Sequence, residues 1–341
     1  MNHITRLVVV VACLVAMLSL AGCQEEQRSP VFLADTPALP AVNMDALETE
    51  ALRAVVEGLA DPDPRVRANA IEVVALTRYV LLMPKVQRLL QDPALPVRFL
   101  AVLAVGDLEY ALAQNDVVRL LEDGDVNIRI AAAYAMTKLG HPEYFKVFRD
   151  AVASEDQTVR ANAAMLLGKS GRTEGLRFLY WALRAEDSAD RVVLQAAESI
   201  AMIRDRRIYP KLWTRLISAY ADDRMVGVRG MGALATEEAR NALVTMLKDP
   251  VLEVRLAAAA QLGKLDEPEG AAEVLHVFKT NALAERDAQG QQRVKILTAL
   301  AIGEIGTEPL KKYLPRLLAD PSKPVRLAAA KAILQCAENK G

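Results

Sequence analysis

Cysteine, histidine and aromatic residues are all scarce in this 341-residue chain. Its three cysteines, Cys13, Cys23 and Cys336, are too few and too scattered for the disulfide framework that staples many small exported domains. Its three histidines include His3 at the extreme N-terminus, which leaves His141 and His276 as the only imidazoles of the main body. No HExxH, GxSxG or glycine-rich phosphate loop is present, so no metal, cofactor or catalytic residue is expected. Aromatic residues make up only 5%, against 52% hydrophobic residues rich in alanine, which suits close-packed helices. Neither sign of charge dominates. The formal net charge of −1 gives no support to nucleic acid as a partner. β-Strand alternation is missing throughout.

What is present begins with an apolar leader. Arg6 supplies a positive n-region, and Leu7–Leu18 is too short to span a bilayer. Leu20-Ala21-Gly22-Cys23 follows and resembles a bacterial lipobox, which implies cleavage after residue 22 and acylation of Cys23. Each buried CH₂ of an acyl chain contributes about 0.8 kcal/mol, so several chains on one thiol hold a protein to a membrane. Gln24 is not the aspartate that retains such lipoproteins at the inner membrane. The resemblance therefore implies the periplasmic face of the outer membrane. Residues 23–46 carry the lipidated cysteine and a proline-rich tether, and residues 47–341 form the folded part.

That part is repetitive. A Val or Ile, usually followed by Arg, recurs at Val66-Arg67, Val97-Arg98, Ile128-Arg129, Val159-Arg160, Val192-Val193, Val228-Arg229, Val254-Arg255, Val294-Lys295 and Val325-Arg326. The gaps are 31, 31, 31, 33, 36, 26, 40 and 31 residues. Such a period means stacked units, not one compact globule. Five residues before the Val stands Asp in seven of nine cases, Asp223 among them, with Ser154 and Gln289 departing. Asp caps helix starts and Pro tolerates the first turn, so Asp61-Pro62 or Asp249-Pro250 ends one helix and opens another. Which residue is the cap stays open where a second Pro follows. Small residues such as Ala70, Ala101 and Ala163 let helices approach closely. Gly106, Gly140, Gly168, Gly263 and Gly303 suit either left-handed helix ends or close backbone contact.

The segments 249-DPVLEVRLAAAAQLG-263 and 154-SEDQTVRANAAMLLG-168 resemble HEAT repeats, nearest to the short kind of the phycobilisome lyases. The resemblance covers about residues 47–338. It implies an all-α fold, a right-handed α-solenoid of about nine helix pairs. It also implies that turn aspartates and helix-B arginines pair between neighbouring repeats. Ser154, Val193 and the Gln289/Lys295 pair break that pattern, so stacking is expected to be less regular in repeats four, five and eight. The polar insertion 281-NALAERDAQGQQ-292 is expected to protrude. The hydroxylase relatives place His-Glu dipeptides at their metals, whereas Pro142 follows His141 and Val277 follows His276. At about 10 Å per helix layer the two histidines would lie ~40 Å apart.

Two surfaces are candidates for partner binding. Positions +2 and +6 from each Val form an apolar strip that includes Phe99, Leu103, Ile130, Tyr134 and Met165. It is either a docking strip for a helix, an unfolded segment or lipid, or a face buried by tight curvature. The second is an aromatic and basic cluster in repeats five and six, with Trp181, Arg207 and Trp213 and their neighbours Phe178, Tyr180, Arg204 and Arg206. Trp, Tyr and Arg dominate interface hot spots, although Trp213 also has the spacing of a core residue. The expected role is a non-catalytic, envelope-anchored scaffold or assembly adaptor that binds a protein of unknown identity. The alternatives are a carrier or chaperone for a hydrophobic ligand or unfolded segment, and a lyase-like enzyme. The sequence does not set the oligomeric state.

Overall fold

The computed structural model describes residues 42–280 and 282–338. The leader, Cys23 and the tether as far as residue 41 lie outside the described residues. Among the described residues the regular structure is all helical, without a strand. No helix there is long and apolar enough to cross a membrane. The chain divides into two compact units, one covering 56–211 and the other taking up the chain from Leu212.

In the first unit the long B helices are Pro64–Leu76, Leu95–Asp107, Val126–Lys138, Gln157–Ser170 and Asp190–Met202. Shorter A helices, Met83–Arg88, Gln114–Leu120, Val147–Ala151 and Leu176–Arg184, alternate with them, each entered through a 3-10 turn. In the second unit the B helices Ala221–Leu234, Leu252–Gly263, Ala288–Ile305 and Lys323–Glu338 alternate with Glu237–Met246, Ala271–Lys279 and Leu314–Leu318.

Local chemistry explains several of these boundaries. The turn acid does not cap the helix; it folds the turn. Asp61, Asp92 and Asp123 each accept the N–H two residues on at 2.9 Å. The N-cap is the residue at that second position, where Asp63, Asp125 and Asp156 accept the next free N–H groups of their helices at 2.7–2.8 Å. At the other end, B helices stop on a left-handed residue: Arg78, Glu109, Gly140, Gly171 and Arg204 in the first unit, Ala235, Asp266 and Gly306 in the second. Of the glycines expected to end helices, only Gly140 does so. A Cβ on Gly106 would sit 2.9 Å from the Ala135 backbone, and one on Gly168 2.6 Å from Ser199. These two, like Gly263 and Gly303, serve close helix contact.

The arginine ladder is present. Arg67 donates Nη1 to the Asp61 and Pro62 carbonyls of its own turn, at 2.7 and 3.0 Å. Its Nε and Nη2 form a two-point pair with Asp92 of the next turn, both at 2.8 Å. Arg160 repeats the arrangement with the Ser154 carbonyl and Asp187. In the second unit Arg224 does so with Ser218, Ala219 and Asp249.

That last contact corrects the register of repeat six. The ladder arginine is Arg224, not Arg229, and the turn residue is Ser218, not Asp223. Asp223 lies inside helix Ala221–Leu234, where Ser218 Oγ and Arg215 donate to it. Val193, Arg224 and Arg255 then fall 31 residues apart, and the anomalous gaps of 36 and 26 disappear. Repeat eight keeps its rung to the next turn, because Lys295 replaces arginine and reaches Asp320 at 2.8 Å. The protrusion expected at 281–292 is corrected for its described residues, 282–292. Arg286 pins it to Glu253 at 2.8 Å, Asp287 caps the next helix, and that helix already begins at Ala288.

A candidate docking face on repeat five

The apolar strip is not a surface. Phe99, Leu103, Ile130, Tyr134 and Met165 are all buried. The reason is that the middle B helices have no solvent side: every residue of 99–106, 130–136 and 159–168 is buried. Tyr134 shows how closely they pack, since its ring lies against the bare backbone of Gly106. Its hydroxyl donates to Asp107 Oδ1 at 2.5 Å, and Lys169 Nζ lies 2.9 Å from Oδ2. Burial, then the Asp107 charge, push the Tyr134 phenol far above its ordinary range. The hydroxyl thus satisfies a polar edge of the stack, and the +2/+6 positions join successive B helices.

The aromatic and basic cluster does reach the surface. Helix Leu176–Arg184 buries Leu179 and Ala182 and turns Arg177, Trp181 and Arg184 outward, at helical spacings of four and three. Trp181 is 45% exposed, and the Arg160 guanidinium lies 5.3 Å from its ring centroid. Arg160 is itself buried and held by Ser154 and Asp187, so the ladder fixes the position of the tryptophan.

The 3-10 turn Arg206–Ile208 brings a second element alongside. Arg207 lies 5.2 Å from the Tyr180 ring centroid and Arg184 lies 5.3 Å from it, so one ring carries two guanidinium groups. Arg177 rests on Phe178 at 4.5 Å. Asp205 accepts from Arg207 Nε at 3.0 Å and from its backbone N–H at 3.0 Å. Hydrogen bonds from Arg207 hold the Asp205 carboxyl below the usual carboxylate range. Burial, then the Asp205 charge, raise the Tyr180 phenol, while Arg207 and Arg184 pull the other way. Arg177, Arg184 and Arg206 have no ion pair among the described residues.

Of the sequence candidates, the structure therefore joins Arg207 to Tyr180 and leaves Trp181 exposed on the same helix. Trp213, 39% exposed, belongs to the second unit, where Ile217 and Tyr220 are exposed as well. Sequence reasoning passed over Arg177, Arg184 and Arg160. The first two were legible as the i, i+4, i+7 companions of Trp181; Arg160 was read only as a ladder residue. His141 opens a 3-10 turn beside Pro142 and shares a hydrogen bond of 3.2 Å with Gln114. Among the described residues no group of three or more His, Cys, Asp or Glu is placed to hold a metal ion.

Family models for HEAT repeats match residues 82–157 and 145–226, and a further HEAT-repeat model matches 239–267. A search of curated proteins gave no match. Among solved structures, the chain is similar to the complex of CpcE and CpcF of phycocyanin lyase from Nostoc sp. PCC7120. That likeness has 18% identity over 73% of this chain and 93% of that one, with a TM-score of 0.39. Human deoxyhypusine hydroxylase is similar at 17% identity over 77% and 97% of the two chains, with a TM-score of 0.38. Kap121p is similar at 14% identity over 86% and 37%, with a TM-score of 0.34. The matched repeats span just over half of the sequence and coincide with the helix pairs described above, so the chain belongs to the HEAT-repeat family.

Proposed function

We propose that the protein is a non-catalytic scaffold, tethered to the envelope through an acylated Cys23, that holds a protein partner on the outer face of repeat five. The observation that carries the reading is the exposed Trp181 set among arginines that rest on aromatic rings. Such residues are the ones that concentrate binding energy in protein interfaces. HEAT-repeat stacks suit this role, because they present extended surfaces held rigid by neighbouring repeats. The lipobox-like Leu20-Ala21-Gly22-Cys23 supports membrane attachment, and Gln24 supports the periplasmic face of the outer membrane. The carrier reading loses its supporting observation, since the strip it relied on is interior. A lyase-like activity gains none.

Two measurements test the proposal. Metabolic labelling with a radioactive fatty acid should mark the wild-type protein and not Cys23→Ala, and the variant should move to the soluble fraction. Unlabelled wild-type protein in the soluble fraction would remove the envelope reading. A photoreactive residue in place of Trp181 should give one dominant protein adduct in intact cells. The absence of any adduct there would remove the scaffold reading of this face.

A further inference from the structure

The face that carries Trp181 has a charge imbalance that the whole chain does not. Segments 176–184 and 204–211 hold six basic side chains, Arg177, Arg184, Arg204, Arg206, Arg207 and Lys211, against the single acid Asp205. The chain as a whole carries a net charge of −1. The two segments touch, because Arg207 of one lies on Tyr180 of the other. Asp205 neutralises Arg207 alone. Arg177 and Arg184 rest on the rings of Phe178 and Tyr180 and have no ion pair among the described residues, so both are held in place without being neutralised.

An exposed guanidinium ordinarily carries a large rotamer entropy, and resting it on a ring removes part of that cost before a partner arrives. Its planar fork matches a carboxylate at two points. Arg177 and Arg184 stand two helical turns apart, about 10 Å along the axis, with Trp181 between them. The arrangement is thus cation, apolar ring, cation.

From this we infer that the partner segment docked on repeat five is an acidic stretch of protein that lays carboxylates on Arg177 and Arg184 and an apolar side chain on Trp181. The inference rests on the scaffold reading above and specifies the chemistry of its partner. A protein segment fits better than a bilayer. The exposed Trp181 ring is pinned by Arg160 beneath it, and forked donors at fixed spacing reward placed carboxylates more than diffuse surface charge.

The test uses the purified full chain in detergent with Trp213→Phe, which leaves Trp181 as the sole tryptophan and reporter. The probe is a synthetic peptide of alternating Glu and Leu, with its Gln-for-Glu counterpart as control. The acidic peptide should change Trp181 emission saturably. Its affinity should fall about tenfold in R177E/R184E and several-fold in the milder R177Q/R184Q. Raising the salt to about 0.5 M should weaken it as well. Equal binding of the Gln peptide overturns the inference, as does an unchanged affinity in R177E/R184E that retains wild-type circular dichroism. A response to phosphatidylglycerol vesicles but not to the acidic peptide overturns it in favour of a lipid surface. The adduct formed at position 181 in cells separates the two readings. An adduct mapped to a non-acidic segment keeps the scaffold and removes the acidic partner; no adduct, with tight peptide binding in vitro, does the reverse.

Discussion

Arg67 serves two turns with one guanidinium: one nitrogen closes its own turn on two carbonyls, and the other two pair with Asp92 of the next repeat. Asp92 is nearly inaccessible, so removing the arginine strands a buried carboxylate. Arg98 closes its turn in the same way but stands 3.9 Å from Asp123. Arg67→Ala should therefore cost about 3 kcal/mol. Arg98→Ala should cost about half of that. Urea midpoints at constant slope will measure both, and equal costs would mean that the turn carbonyls, not the inter-repeat pair, account for the stability. Glu304 gives the same chemistry a pH signature. Burial alone would push its carboxyl up, but the Lys331 charge and hydrogen bonds from Lys331 and Gln335 outweigh that and hold it below the ordinary range. A carboxyl depressed in the folded state adds stability above its unfolded value and loses it as pH falls through the folded one. Glu304→Gln should flatten the acid limb of the stability profile below about pH 4.5. A limb identical to wild type would show that the pair contributes nothing.

At the scale of the element, eight of the nine B helices end on a left-handed residue among the described residues, and five of those eight residues are not glycine. Ala235 has φ 55° and ψ 29° with no polar side chain to compensate, a conformation that costs an L-residue about 1 kcal/mol. Ala235→Gly should therefore raise stability by about 0.5 kcal/mol once the flexibility added to the unfolded chain is counted. Gly140→Ala should destabilise in thermal melts for the converse reason; a shift of the same sign in both would sink the strain argument. These ends also explain what the sequence revealed and what it hid. The Asp turn, the Arg six residues on and the small residues of helix B have fixed side-chain identities, so helix pairs and ladder were legible. The left-handed stop constrains only φ, and Arg78, Glu109, Arg204 and Ala235 satisfy it without a recognisable letter. In repeat six, Asp223 stands where other repeats carry Val or Ile, and Val228-Arg229 imitates the motif five residues late. The register slipped there, and the +2/+6 positions derived from it slipped too. The strip from Phe99 to Met165 failed for another reason. Apolar residues around a whole helix circumference mark a helix buried on every side, not a second binding face.

At the scale of the whole molecule, a repeat protein is held together by its nearest-neighbour interfaces, so the weakest interface sets where the stack opens. In the first unit the ladder lacks one rung. Arg129 closes its own turn on the Asp123 and Gly124 carbonyls, but the position that would supply its acid is Ser154, and no carboxylate pairs with Arg129 among the described residues. The Ser154 carbonyl meanwhile accepts from Arg160 at 2.9 Å and its hydroxyl folds the turn onto Asp156, so the backbone there already has the geometry of an Asp turn. Ser154→Asp keeps those contacts, because Asp folds the equivalent turns at 61, 92 and 123. It also places a carboxylate 25 residues beyond Arg129, the separation at which Arg67 meets Asp92. The new pair should add about 1 kcal/mol, as half-exposed ion pairs of good geometry do. The gain should be localised: amide exchange in helices Val126–Lys138 and Gln157–Ser170 should slow about fivefold, while Pro64–Leu76 exchanges as before. A uniform slowing of the whole unit would mean that it opens as one block, and the missing rung would then have no part in where the stack gives way.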